Sequence, residues 1–368
     1  MKLEAVELRR LDVPLVRPFR TSFGVQTHRD VLLVRVLTDE GEGWSECVAL
    51  ADPVYSSEYV AGAQAVLTGH LLPRLFAAAD LTGRSVAPAL AGVIGHRMAK
   101  AAVETAVLDA ELRSYGISLA RYLGAERSHV ECGVSVGIAS SVDALLAEVQ
   151  SYVDQGYRRI KLKIQPGWDV EPVRAVREAF GPDLPLQVDA NTAYDAATMP
   201  RLHALEEFGL LLIEQPFVEE DLHQHAVLSR QMRTPVCLDE SIVSAAVAAD
   251  AINRGACSIV NVKAGRVGGY LESVRIHDVC AALGVPVWCG GMLETGLGRA
   301  ANLALAALPN FRLVGDTSAS DRYFAEDLTE PFVLVDGRLP VPTGPGVGVD
   351  LRRDVVTAMT QSTETVRP

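Results

Sequence analysis

From Cys132 onward, short apolar runs alternate with amphipathic stretches at a steady spacing. The runs are Cys132–Gly137, Ile160–Ile164, Leu186–Ala190, Leu210–Glu214, Val236–Asp239, Ile259–Lys263 and Val285–Cys289, and successive runs start 23 to 28 residues apart. Short apolar runs of this kind fit strands buried on both faces. Between them, Val142, Leu145, Leu146, Val149 and Val153 follow the spacing of one helical face. Trp168 to Phe180 carries a second stripe, Val170, Val173, Val176 and Phe180. A strand and a helix every ~25 residues is the βα unit of a parallel sheet. Seven such runs, with an eighth candidate at Phe311–Val314, predict a closed (β/α) barrel in preference to an open sheet. An open doubly wound sheet usually has a glycine-rich turn after its first strand, and Gly137-Ile138-Ala139 offers none.

The first part of the chain differs. Leu3–Leu11 and Val31–Val36 read as strands, and Pro18–Gly24 between them has no clear period. His96–Leu112, rich in Ala, Glu and Leu, reads as a helix. This is the pattern of an α+β unit. The tail beyond Asp316 is rich in Pro and Gly, shows no strong helix, and is expected to fold back onto the N-terminal unit.

Composition narrows the function classes. Apolar residues make up 49% and charged residues 22%, as in a globular chain with a substantial core. The net charge is −12, from 34 Lys and Arg against 46 Asp and Glu, with no basic cluster. Such a chain is a poor partner for nucleic acid or an anionic membrane. No apolar run reaches the ~18–20 residues of a membrane span. Met1–Glu7 lacks the apolar core of a signal peptide. The six cysteines are scattered without a CxxC pair, as expected of buried thiols in a reducing cytoplasm.

Catalytic groups in a barrel of this type belong at the C-terminal ends of the strands. Asp189, Glu214 and Asp239 end three successive runs, each 25 residues after the last. A lone acid there could cap the next helix. Three in the same phase converge in one mouth, where like charges need a cation. Three oxygen ligands without His or Cys favour Mg²⁺ or Mn²⁺ over zinc. Lys161 and Lys163 share one face of the second run, and Lys263 ends the sixth. Strands two and six of eight lie opposite, so Lys163 and Lys263 would face each other across the mouth. Crowded, partly desolvated ammonium groups are expected to have lowered pKa values and to serve as bases. The competing reading is lysines that snorkel to solvent. The arrangement implies proton abstraction α to a carboxylate, with the metal and Lys161 stabilising the enolate.

These residues resemble the enolase superfamily, and Lys161-Leu162-Lys163 is similar to the KxK motif of its muconate-lactonizing-enzyme subgroup. Within that subgroup the chain most resembles the o-succinylbenzoate synthase / N-succinylamino acid racemase family. The runs that carry the likeness include Pro18–Gly24, Tyr55–Tyr59, Gly133–Gly137, Gln187–Thr192, Cys237–Ser241, Trp288–Gly296 and Gly315–Asp321. The resemblance implies an α/β fold: a (β/α)7β TIM-like barrel (129–316), an α+β capping domain (1–128), and a C-terminal segment (317–368) returning to the cap. It implies Asp189, Glu214 and Asp239 as ligands of Mg²⁺, with Mn²⁺ or another divalent cation as a substitute. It makes Lys163 and Lys263 the acid/base pair, assisted by Lys161.

Ser135, Asn191, Gly291, Met292 and Leu293 would line the substrate pocket, with Phe19, Phe23 and Leu50 reaching in from the cap. Glu240 and Arg266 would support the site from behind, and Arg266 is expected to depress the Lys263 pKa further and favour racemization. Leu50 and Leu293 stand where relatives carry Met and Ile, near-isosteric exchanges expected to tune specificity. Gly290-Gly291 reads alternatively as a tight turn. Asp321-Arg322-Tyr323 lacks the second acid with which dipeptide epimerases hold a free amine. The implied substrate is a small carboxylate bearing a succinyl group, the implied assembly a dimer or octamer, and the implied pathway, for the synthase, menaquinone biosynthesis. A dipeptide epimerase, a muconate-type cycloisomerase, a Schiff-base aldolase using Lys163 or Lys263, and a non-catalytic barrel are the alternatives.

Overall fold

The computed structural model describes the whole chain, Met1–Pro368. It begins with a long antiparallel hairpin of β1 (Leu3–Thr21) and β2 (Gly24–Thr38), followed by β3 (Gly41–Cys47). The segment 18–24, without period in the sequence, is the tip of this hairpin. Its alternation is lost because the register shifts between Pro14 and Phe19: Pro14 pairs with His28, but Phe19 already pairs with Gln26. The extra residues form a bulge, which bends the strand and breaks the inside–outside count. Helix Arg97–Tyr115 packs its small residues on this sheet and is buried over most of its length. Asp109 within it accepts from the backbone N–H of Trp44 (2.9 Å) and of Val347 (2.8 Å), tying β3 to the C-terminal segment.

Two short strands, β4 (His129–Glu131) and β12 (Arg338–Pro340), pair beside the barrel. The barrel strands are β5 (Gly133–Val136), β6 (Arg159–Lys163), β7 (Leu186–Asp189), β8 (Ile213–Glu214), β9 (Val236–Leu238), β10 (Ile259–Val262) and β11 (Val287–Cys289). They form one parallel sheet in sequential order. The eighth run, at Phe311–Val314, is an irregular bridge and not a ladder. The Val287 N–H donates to Asn310 O (3.1 Å), the Asp316 N–H to Cys289 O (2.9 Å), and the Gly133 N–H to Gly315 O (2.8 Å). Segment 310–316 therefore bonds to both edges of the sheet and closes it. The run at 210–214 likewise shrinks to two ladder residues, with Leu211 exposed.

The predicted amphipathic stretches form helices Val142–Asp154 and Val170–Phe180, starting at Ser141 and Asp169, whose side chains accept from the first-turn N–H groups. Beyond Asp316 the chain makes a 3-10 turn (Ser320–Arg322), β12, one short α-helix (Arg353–Met359) and then β13 (Thr360–Val366), which pairs with the outer edge of β1. No helix is long and apolar enough to cross a membrane, and all six cysteines are buried free thiols.

Candidate active site

Alternation along the barrel strands decides which side chains meet inside. The outward set, such as Ile160, Leu162, Val188, Ile213, Val236, Val260 and Val262, joins the large apolar core under the helices. The inward set begins with a small apolar floor of Leu212, Cys237, Ile259 and Trp288. One period further along the strands, the inward positions turn polar. Lys163, Asp189 and Glu214 lie side by side in register on β6, β7 and β8. Asp239 follows two residues after Cys237, the residue paired with Glu214. The three carboxyl-bearing residues are fully buried, and Lys161, Lys163 and Lys263 nearly so.

The cations and carboxylates interlock. Lys161 Nζ lies 2.6 Å from Asp316, 3.1 Å from Glu214 and 3.2 Å from Asp189, over the Trp288 ring. Lys163 Nζ donates to Asp189 Oδ2 (2.5 Å) and to Asn191 Oδ1 (2.6 Å). Lys263 Nζ is 2.7 Å from Asp239 Oδ2 and donates to the Tyr55 hydroxyl at 3.0 Å. The sequence reading expected lowered lysine pKa values, and here it needs correction. Burial does pull Lys161 and Lys263 down, but Asp316 and Glu214 around Lys161, and Asp239 beside Lys263, outweigh it and hold both above the usual range. Each ammonium sits closer to a carboxylate than to another cation. Burial also works to raise the Asp189 carboxyl, and Lys163 and Lys161 overcome it and hold it low. Glu214 goes the other way: burial and the charges of Asp189 and Asp239 push it well up in spite of Lys161.

The expected pocket residues come together. Ser135, Asn191, Gly291, Met292 and Leu293 from the barrel, and Phe19, Phe23 and Leu50 from the cap, line one cleft with the three lysines. Its free volume is about 50 Å³, so the cap lies nearly shut over the mouth. Two roomier clefts, of about 580 and 590 Å³, lie elsewhere, and neither reaches the lysines. Glu240 stands behind the cleft, accepting from Asn191 Nδ2 at 2.9 Å, and burial and Asp239 raise its carboxyl to about 7. Arg266 also lies behind, but its guanidinium meets Asp239 Oδ1 at 3.0 Å and Glu240 O at 2.7 Å, and not Lys263. It reaches Lys263 only through a carboxylate that raises the lysine.

Gly290 and Gly291 are not a left-handed turn, since neither has a positive φ. A Cβ on Gly290 would collide with Asn261 and sit 2.8 Å from Lys263 Cε, so this position is glycine for want of room.

Several site residues escaped the sequence reading. Tyr55 donates to Asp239 Oδ2 at 3.2 Å, and Asn261 Nδ2 donates to Glu214 Oε1 at 2.6 Å. Arg159 pairs with Asp316 at 2.8 Å, and Thr21, Gln26 and Tyr323 complete the cleft wall. The signal for Asn261 and Arg159 was present: each stands two residues before a lysine already singled out.

As the side chains stand, no three acidic, His or Cys groups converge on one point, because the lysines draw the carboxylates toward themselves. The donor chemistry nevertheless suits a hard cation. Asp239 Oδ1, Glu240 Oε2 and Asn261 Oδ1 are buried oxygens without a well-directed hydrogen bond. With the raised Glu214, they are buried oxygens that a hard cation would satisfy.

The site can be set beside known proteins. Residues 144–355 match the family described as Enolase C-terminal domain-like, and residues 5–124 match the Mandelate racemase / muconate lactonizing enzyme N-terminal domain. An N-succinylamino acid racemase from Amycolatopsis sp. is 64% identical over 97% of this chain and 98% of its own. An o-succinylbenzoate synthase from Geobacillus kaustophilus is 48% identical over 98% of this chain and 96% of its own. A crystal structure of an enolase superfamily member from Listeria innocua has a TM-score of 0.95 and 41% identity, covering 100% of this chain and 99% of that one.

Proposed function

Because the chain belongs to the mandelate racemase / muconate lactonizing enzyme family and is an enzyme of the enolase superfamily, we propose that it removes the proton α to a substrate carboxylate. The substrates we assign are N-succinylamino acids, racemized, and 2-succinyl-6-hydroxy-2,4-cyclohexadiene-1-carboxylate, dehydrated to o-succinylbenzoate. The observation that carries this reading is that Lys163 and Lys263 enter one cleft from β6 and from the end of β10, with three buried carboxylates between them. In a closed ring of eight positions those strands are opposite.

Asp189, Glu214 and Asp239 would hold a divalent cation, Mg²⁺ in this reading, with Mn²⁺ able to replace it. Such an ion would withdraw charge from the substrate carboxylate and acidify the adjacent carbon. The remaining steps belong to the chain. With Asp189 and Asp239 engaged by the cation, Lys163 and Lys263 would lose the carboxylates that now pair with them; one of them, unprotonated, takes the α-proton, and the ammonium of Lys161 stabilises the charge that develops on the carboxylate oxygens. The opposite lysine returns a proton to the other face, which inverts the centre. In the dehydration, the α-proton is taken from the ring carbon and given by the protonated base to the departing hydroxyl, which leaves as water as the ring double bond forms. Lys163 is then the base, and Lys263 serves as a cation beside the intermediate. The cap excludes solvent through Phe19, Phe23 and Leu50. A free volume of about 50 Å³ is too small for an N-acylamino acid, so the cap must yield on binding. Tyr323 on the cleft wall and an exposed Asp321 speak against a substrate with a free α-amine.

The test is ¹H NMR of N-succinyl-L-phenylalanine with enzyme and Mg²⁺ in D₂O. The α-proton signal and the optical rotation should both decay, and EDTA should stop both. Absence of exchange would remove the racemase and leave the synthase to be assayed.

A further inference from the structure

Arg322 is buried, although it lies between exposed Asp321 and the cleft residue Tyr323. Its guanidinium carbon sits 4.8 Å from the Tyr323 ring centroid, 4.9 Å from that of Tyr152 and 5.6 Å from that of Phe19. Nη2 donates to Ser135 O at 2.6 Å, and Nε has no partner. The nearest carboxylate, Glu148, is 3.9 Å away and also accepts from the Tyr152 hydroxyl. One cation thus touches the cap hairpin, the first barrel strand, the following helix and the C-terminal segment, held mainly by aromatic faces.

Three of its neighbours, Phe19, Ser135 and Tyr323, line the cleft. Phe19 meets Tyr323 edge to face at 6.1 Å. The hairpin tip is pinned around them: the Val16 N–H donates to Tyr323 O and the Ile138 N–H to Arg20 O, both at 2.9 Å. Ser22 Oγ donates to Asn191 O at 3.2 Å. Gly137 leaves no slack, since a Cβ there would stand 2.8 Å from Arg20 O.

We propose that Arg322 is a positioning residue that holds Phe19 and Tyr323 against Ser135 and so fixes the cleft wall that selects the substrate. The inference rests on the activity proposed above. It is not part of the proton-transfer machinery, because Arg322 touches none of the three lysines or three acids.

The test is a kinetic cycle of Arg322→Met, Phe19→Leu and the double variant with N-succinyl-L-phenylalanine. Arg322→Met keeps an unbranched, flexible side chain but shortens it, and loses the charge and the bond to Ser135. It should raise KM about tenfold with kcat within about threefold. In that background Phe19→Leu should add less than about twofold, since its packing is already released. Arg322→Lys keeps a cation over the rings and should recover part of the KM. Additive effects, an unchanged KM, or KM, kcat and Tm falling together in both Arg322 variants would overturn the proposal. Should Arg322→Met fail to fold, Arg322→Lys closes the same cycle. Should the wild type exchange no α-proton, the activity reading fails by itself, and calorimetric binding of N-succinyl-L-phenylalanine to the same variants reads Arg322 directly.

Discussion

Tyr55 and Lys263 meet across the boundary between cap and barrel, the ammonium donating to the phenol oxygen at 3.0 Å and lying 4.8 Å from the ring centroid. The same hydroxyl donates to Asp239, so one cap residue contacts both a lysine and a carboxylate of the cleft. Tyr55→Phe keeps the ring and removes the bonds. Exchange of the α-proton should slow about tenfold for the enantiomer served by Lys263 and less for the other. Equal slowing for both would show that Tyr55 acts on the whole site and not through Lys263.

The two lysines should separate the same way. Lys163→Ala should abolish exchange of one enantiomer and Lys263→Ala that of the other, each by at least about a hundredfold. In the synthase reaction Lys163→Ala should be the more damaging if, as proposed, Lys263 serves there only as a cation. Deuterium uptake followed separately from L- and D-substrate reads this directly.

Gly290→Ala is the sharpest steric probe. The new methyl meets Asn261 and the Lys263 side chain at 2.8 Å from Cε, so kcat should fall at least about tenfold. The neighbouring Gly291→Ala meets Asp316 O only at 3.3 Å and should be milder. Similar losses in both would mean that crowding at Asn261 and Lys263 is not the cause.

Two buried groups away from the site set opposite pH slopes on stability. Burial pushes the Glu104 carboxyl up to about 8 against the Leu271 N–H that it accepts at 3.1 Å. An acid raised on folding stabilises at low pH, and that contribution is lost as pH rises toward 8. Burial pushes His225 down to about 4, its ring accepting from the Phe217 N–H at 3.2 Å. A base lowered on folding contributes above its unfolded pKa, and the contribution is lost as pH falls from about 6.5 toward 4. Glu104→Gln should therefore flatten the decline of Tm between pH 5 and pH 9, and His225→Gln the decline between pH 6.5 and pH 4. Unchanged slopes would mean that both groups titrate alike in folded and unfolded chains.

The barrel was legible because its strands put the chemistry on one parity and the hydrophobes on the other: in Ile160-Lys161-Leu162-Lys163 the inward residues are the charged ones. Two elements were harder to read. Segment 310–316 closes the sheet with two bonds to β11 and one to β5 and no continuous ladder, and so lacks the repeat that marks a strand. The hairpin tip lost its alternation to the bulge after Pro14. Within the site, residues that end barrel strands were visible, whereas Tyr55 and Asp316 sit in loops where no period marks them. The raised Lys161 and Lys263 are not legible in strand spacing, which reports which ammonium groups share a face and not how near the carboxylates of other strands approach.

Strand β13 carries a consequence for synthesis. It is polar and largely exposed, adds little to the core, and covers the outer edge of β1 from Val6 to Leu11. The sheet it completes begins at Leu3, yet β13 leaves the ribosome only after the entire barrel. A nascent chain therefore holds its first hairpin with one flank bare, its N–H and C=O groups open to any passing strand, for as long as the barrel takes to be made. Elongation speed through residues 129–316 thus sets how long that flank stays open, and slowing it should send more of the protein into aggregates without altering the finished fold.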